Sequence, residues 1–295
     1  VTDISNSLYT DNDFTFTGDA SVKATDAGQY WMDVKSSDFT NISKNFTNVR
    51  FVFENGVLTI GKRNVILTSA SDSKAYDGKP LTNDTVKVSG EGFAKGEGAA
   101  YDVTGSQLNV GTSDNTFTYE LNANTKADNY NIELIEGKLT VTADENEVVV
   151  TITENRGNKK YDGRAHSVSG YKVTDISNKL YTADDFKFNG DATVKGTDAG
   201  TYDMDVKADD FENVNNNFAK VTFVIIDGKL TIEKRDVTLT SADASKVYDG
   251  TALTSKKVTV SGEGFAKGEG ATYDVTGTRT NTGTSKNTFT YTLKN

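Results

Sequence analysis

Cysteine is absent from the 295 residues, so neither a disulfide nor a thiolate metal site can form. That suits a cytosolic protein, or an exported one that does without disulfides. Histidine occurs once, at His166. A Ser-His-Asp or Cys-His site could therefore be built in one place at most, in a chain that otherwise repeats itself. We assign no catalytic residue and read the chain as non-enzymatic, with His166 a surface histidine. The single proline excludes a proline-rich stalk, and no apolar run approaches the length of a membrane span. Basic residues are the minority, 32 Lys and Arg against 42 Asp and Glu, for a net charge of −10. Nucleic acid and anionic lipid both require clustered cations, so neither is expected as a partner.

What the chain does have is glycine, tyrosine, phenylalanine and a repeat. Val1-Thr2-Asp3-Ile4-Ser5 returns as Val173-Thr174-Asp175-Ile176-Ser177, an offset of 172 residues that holds to the end without insertion or deletion. Within that period a second signature, Lys-x-Tyr-Asp-Gly, stands at Lys74–Gly78, Lys159–Gly163 and Lys246–Gly250. Asp-Gly is turn chemistry, because glycine takes positive φ freely and aspartate can bond backbone two residues on. Each copy is read as the first corner of a small β-domain. Four modules follow: a partial long one at 1–63, a complete short one at 64–145, a complete long one at 146–235 and a partial short one at 236–295.

The segments themselves read as strands. Thr116–Leu121 alternates without a break and puts Phe117, Tyr119 and Leu121 on one face. Val148–Thr153 is rich in β-branched residues. Turns such as Asn55-Gly56 punctuate the runs, and no segment keeps a helical period over three turns. The fold expected is all-β, with tandem small Ig-like β-sandwich modules, a β-grasp-like arrangement being the alternative. Linkers are short: Gly61-Lys62-Arg63-Asn64 separates a strand ending at Ile60 from one beginning at Val65. A flexible tether needs a longer Gly/Ser tract, so neighbouring modules should dock end to end as an elongated rod.

Lys-x-Tyr-Asp-Gly, the Ser89–Gly98 stretch with its copy Ser261–Gly270, Tyr-Asp-Val-Thr-Gly, Gly196–Tyr202 and Asp227–Ile232 together resemble the YDG/MBG-type repeats. The resemblance covers the whole chain. It implies very large secreted or wall-anchored bacterial surface proteins, often adhesin-like, that carry such modules in tandem. The expectation is an extracellular stalk on the bacterial cell surface, wall-anchored through a segment outside this sequence, that projects a distal functional domain. Two other classes stay open: a module that binds host glycan or protein itself, and accessory repeats of a large secreted enzyme.

Trp31, the only tryptophan, has Asp203 as its repeat partner. A position that accepts Asp faces solvent, so Tyr30, Met32 and Val34 point inward and Trp31 outward. An exposed indole can stack on a sugar or anchor an interface, which makes Trp31 the candidate ligand-binding residue. Surface domains without disulfides sometimes join a lysine to an asparagine through an amide bond, for which Lys74 and Asn131 are the candidate pair. Asp11, Asn12 and Asp13 loosely resemble an oxygen-ligand loop, yet lack the glycine and distal glutamate of an EF-hand. Gly90–Gly96 fits no phosphate-loop pattern and reads as a wide turn over Phe93. No metal and no cofactor is expected. The partners expected are neighbouring modules of the same chain and host glycan or protein.

Overall fold

A computed structural model describes residues 1–294; Asn295, the last residue of the fourth expected module, lies outside them. The chain forms two compact units, Val1–Thr142 and the remainder from Ala143. Among the described residues the structure is all-β, with helix confined to 3₁₀ turns of three residues each. The sheets are open and have two or three strands.

In the first unit one strand pair runs through two sheets. Arg63–Ser69 lies between Tyr130–Ile135, which is parallel to it, and Val86–Gly90, which is antiparallel. The chain then bends at Ala70-Ser71 and continues as Asp72–Ala75, parallel to Gly137–Thr142. Gly137–Thr142 in turn pairs antiparallel with Gly111–Asn115. Both members of the long pair therefore change sheets at the same level. A β-carbon on Gly137 would strike the carbonyl oxygens of Ser69 and Ala70, so only glycine lets the strands cross this closely. The Ser69 hydroxyl, 1% exposed, accepts the Gly137 N–H at 2.9 Å and donates to the Asn115 carbonyl at 2.6 Å. Val65, Leu67, Phe117 and Tyr130 form the core above the kink, packed against Phe93, Tyr101 and Ile132. Leu81, Leu139 and Val141 form a second cluster below it, covered by Tyr76.

Residues 1–62 of this unit add Phe14–Phe16 paired with Phe39–Asn41, and Gly28–Trp31 paired with Val57–Ile60. Their core is aromatic: Tyr9, Phe14, Phe39, Phe46 and Phe51 meet with ring centroids 5.1 to 6.5 Å apart. The Tyr9 hydroxyl donates to the Asp13 carbonyl and to Asn41 Oδ1, at 3.1 and 3.0 Å.

The second unit uses the same plan with different chemistry. Val148–Glu154 lies between antiparallel Tyr171–Ile176 and parallel Val221–Ile226. Past Asn155 it continues as Arg156–Lys160, parallel to Lys229–Glu233, which also pairs with Gly200–Asp203. A β-carbon on Gly228 would strike the Asn155 carbonyl. Here the buried acceptor is a carboxylate: Glu154, 2% exposed, takes the Val206 N–H on one oxygen at 2.9 Å and the Gly228 N–H on the other. Val148, Val150, Ile152, Leu230 and Ile232 are 2% exposed or less. Burial of each such side chain contributes about 1.5–3 kcal/mol. The unit ends with Val237–Ser241 paired with Val258–Gly262, and Ala271–Val275 paired with Phe289–Leu293.

Candidate functional site

The Lys-x-Tyr-Asp-Gly corner is a turn built on its aspartate. Asp77 Oδ1 accepts the Lys79 N–H at 3.0 Å and the Lys74 ammonium at 2.6 Å, with Gly78 at φ +74°. Asp249 repeats this with the Thr251 N–H and Lys246, both at 2.9 Å. The Lys246 ammonium, joined by the Thr251 N–H, holds the Asp249 carboxyl down at about 2. Lys74 likewise holds Asp77 below the usual carboxylate range. In the remaining copy, Asp162 accepts the Arg164 N–H at 3.0 Å and meets His166 Nε2 at 2.9 Å. His166, expected as a surface histidine, is a half-buried partner of the turn aspartate, in place of the motif lysine Lys159.

One polar clasp then joins consecutive stretches inside each unit. In the first, Asp26 accepts Lys126 Nζ at 2.6 Å and Asn129 Nδ2 at 3.1 Å, while the Ala27 N–H donates to Asn129 Oδ1 at 2.6 Å. These contacts bridge 100 to 103 residues of sequence. Hydrogen bonds from Lys126 and then Asn129 hold the Asp26 carboxyl below its ordinary value. In the second unit, Tyr161 of the corner donates its hydroxyl to Glu269, and Lys160 lies 3.4 Å from Glu263. Arg235 spans the joint, with Nε on the Gly264 carbonyl at 2.9 Å and Nη1 on the Tyr161 carbonyl at 3.2 Å. A cleft of about 300 Å³ opens beside these groups, lined by Tyr161, Asp198, Arg235, Phe265 and Glu269. In the first unit Glu97, the counterpart of Glu269, instead accepts the hydroxyl of Tyr130 at 2.6 Å. The sequence marks Lys160 and Tyr161 through the Lys-x-Tyr-Asp-Gly signature and Glu263 and Glu269 through the Ser261–Gly270 stretch, but gives none of these residues its partner across the joint. The signal available was that Arg63 and Arg235, Glu91 and Glu263, and Glu97 and Glu269 are identical at the 172-residue offset.

Trp31 is 62% exposed at the end of Gly28–Trp31, opposite Val57, itself 46% exposed. Tyr30, Met32 and Val34 are half-buried behind it. At the same place in the second unit the opposed pair is Asp203 and Lys229. Lys74 and Asn131 are not brought together. Lys74 is in Asp72–Ala75 with its ammonium on Asp77 and the Lys79 carbonyl, whereas Asn131 is in Tyr130–Ile135, in the other sheet, with Nδ2 on Asn64 Oδ1 at 3.1 Å. The bend at Ala70-Ser71 that carries the chain from one sheet to the other is what separates them. Asp11, Asn12 and Asp13 form a 3₁₀ turn in which Asp13 accepts the Thr10 N–H at 2.8 Å, so this carboxylate is a cap. Among the described residues no group of three His, Cys, Asp or Glu side chains is arranged to hold a metal. Phe93 is half-buried in its wide turn, with its ring 5.2 Å from Tyr130.

The corner makes a direct pH prediction. Asp249 titrates lower folded than unfolded, so its stabilising contribution is complete above about pH 4 and fades as pH falls toward 2. Lys246→Met should move the Asp249 carboxyl up toward the ordinary range, read by carboxyl carbon shifts in a pH titration. An Asp249 that still titrates near 2 in the variant would locate the effect in the Thr251 bonds alone.

Comparison with known proteins gives one match. Residues 147–234 match the family model of the MBG domain. No curated protein matches the chain, and no solved structure does. The match spans the stretch from Val148–Glu154 to Lys229–Glu233, including the kink at Gly228 and the corner at Tyr161-Asp162-Gly163. The matched stretch is similar to the MBG domain and consistent with the MBG/YDG-type repeats of surface proteins, and the 172-residue offset repeats most of its sequence pattern in residues 1–62.

Proposed function

We propose that the chain is part of the stalk of an adhesin-like protein on the bacterial cell surface, anchored to the wall outside this sequence and spacing a functional domain away from it. The observation that carries this reading is the clasp between consecutive stretches. Only Gly61 and Lys62 intervene between Val57–Ile60 and Arg63–Ser69, and Asp26, Lys126 and Asn129 tie the two sides by side chain. A joint of this kind resists bending, as a spacer requires, and the matched family is a repeat-domain family. The acidic, cysteine-free composition suits an exported module that stays soluble without disulfides. Small-angle scattering of residues 1–295 should give a radius of gyration well above the roughly 19 Å expected of one globule of this length. A value near 19 Å would overturn the stalk reading.

A second reading, that the module itself holds host glycan or protein, is favoured by one observation. The outward cross-strand pair is Trp31 and Val57 in one copy and a charged pair, Asp203 and Lys229, in the other, so one copy alone carries an apolar platform. Aromatic faces of this kind stack on sugar rings. Under this reading Trp31→Ala abolishes binding on a glycan array and leaves the melting temperature unchanged. Binding that survives the substitution removes Trp31 as the contact.

A further inference from the structure

Among the described residues no sheet has more than three strands, so most strands lie at an edge. An edge presents unpaired N–H and C=O groups to any strand of matching pattern, and a charged side chain on it guards against such pairing. Between residues 63 and 235 every strand at a sheet edge carries Asp, Glu, Lys, Arg or His, with one exception. The exception is Val221–Ile226, which reads Val-Thr-Phe-Val-Ile-Ile.

That strand pairs with Val148–Glu154 along one side and with no strand along the other. The 3₁₀ turn Ala208–Asp210 packs against it without joining the sheet. Its inward residues Phe223 and Ile225 lie opposite Val150 and Ile152, both at 0% exposure. Its outward residues Thr222, Val224 and Ile226 are exposed, the last two at 43% and 44%. Their outward neighbours on Val148–Glu154 are Val149, Thr151 and Thr153, so the two strands together present an uncharged face. At the strand's start Glu147 accepts the Thr222 hydroxyl at 2.5 Å. The equivalent strand in residues 63–142 is guarded at its middle. Val224 stands four residues before the crossing glycine Gly228, and Glu133 stands four before Gly137. Two copies of Tyr130–Ile135 meeting antiparallel about that position would set glutamate against glutamate; two copies of Val221–Ile226 set valine against valine.

We propose that Val221–Ile226 is a lateral association edge, at which two copies of this chain join by antiparallel pairing of the same strand about a two-fold axis at Val224. Opposed residues of an antiparallel pair share a face, so the axis must fall on a residue. At Val224 it sets Thr222 against Ile226 and Phe223 against Ile225, outward with outward and inward with inward. The two three-stranded sheets become one of six strands, an ordinary size. The occupant is a second copy because the strand is its own complement about this axis. In a chain of net charge −10 it is also an edge that opposes no like charges when it meets itself. The strand positions beside the two Glu147 carboxylates fall about 13 Å apart, beyond the screening length in physiological salt. The inference stands apart from the stalk reading, since it concerns one edge of one sheet.

The test is sedimentation velocity on the 295-residue chain from micromolar to millimolar concentration, with residue-resolved hydrogen exchange at both extremes. The expected result is a monomer–dimer shift with concentration, and new protection at Val221–Ile226 but not at Tyr130–Ile135. Val224→Glu and Val224→Lys should each weaken the dimer at least about tenfold, by opposing like charges at the axis. Because Val224 points outward, both variants should keep the melting temperature of the dilute protein. An equimolar mixture of the two variants should dimerise again, since each copy then meets the opposite charge. A chain that stays monomeric throughout would overturn the proposal. So would a dimer that survives both substitutions, or a mixture of the variants that stays monomeric.

Discussion

Two strands that begin and end a stretch of chain lie side by side and cross together from one small sheet into the next. In residues 63–142 and 148–233 the other strand ladders are antiparallel, and this pair carries the parallel ones. At the crossing the backbones approach too closely for a side chain, which fixes glycine at Gly137 and Gly228. The crossing also turns a backbone N–H inward, where an absent acceptor would cost about 1–3 kcal/mol. One stretch answers with the hydroxyl of Ser69 and the other with the carboxylate of Glu154. Since paired residues are 67 apart in one stretch (Arg63 and Tyr130) and 73 apart in the other (Val148 and Val221), the structure is dominated by non-local contacts, which is the slow-folding regime.

The same geometry determines what is left at the surface. Once the first strand has crossed, the chain must turn, and the Asp-Gly corner does so with the aspartate bonded two residues on. In the second unit that corner is also where the next stretch docks, through Tyr161, Lys160 and Arg235. Turn and joint are thus one feature in the second unit, whereas in the first the joint is made by Asp26 with Lys126 and Asn129.

Alternation made the strands legible, and the Asp-Gly signature made the corner legible, because both are local. Which strands pair was not legible: period-two patterning states which face is inward and is silent on the neighbour. Parallel pairing of Arg63–Ser69 with Tyr130–Ile135 therefore had no signal in either segment. Nor did Lys74 and Asn131 reveal that they belong to different sheets. Glu154 and Ser69 were within reach. Each continues the inward parity of its strand, after Val148, Val150 and Ile152 in one case and Val65 and Leu67 in the other. A polar residue in phase with an apolar face is a buried acceptor waiting for its donor. Trp31 was read as outward from its partner Asp203, and that parity holds in the structure.

Hydrogen exchange on Glu154→Ala, resolved by residue, addresses the crossing most directly. With the Val206 and Gly228 N–H groups left without their acceptor, Val221–Ile226 and Lys229–Glu233 should lose protection together, by about 2–4 kcal/mol. Loss confined to Val206 and Gly228, with both flanking strands as protected as before, would contradict the dependence of the fold on this crossing.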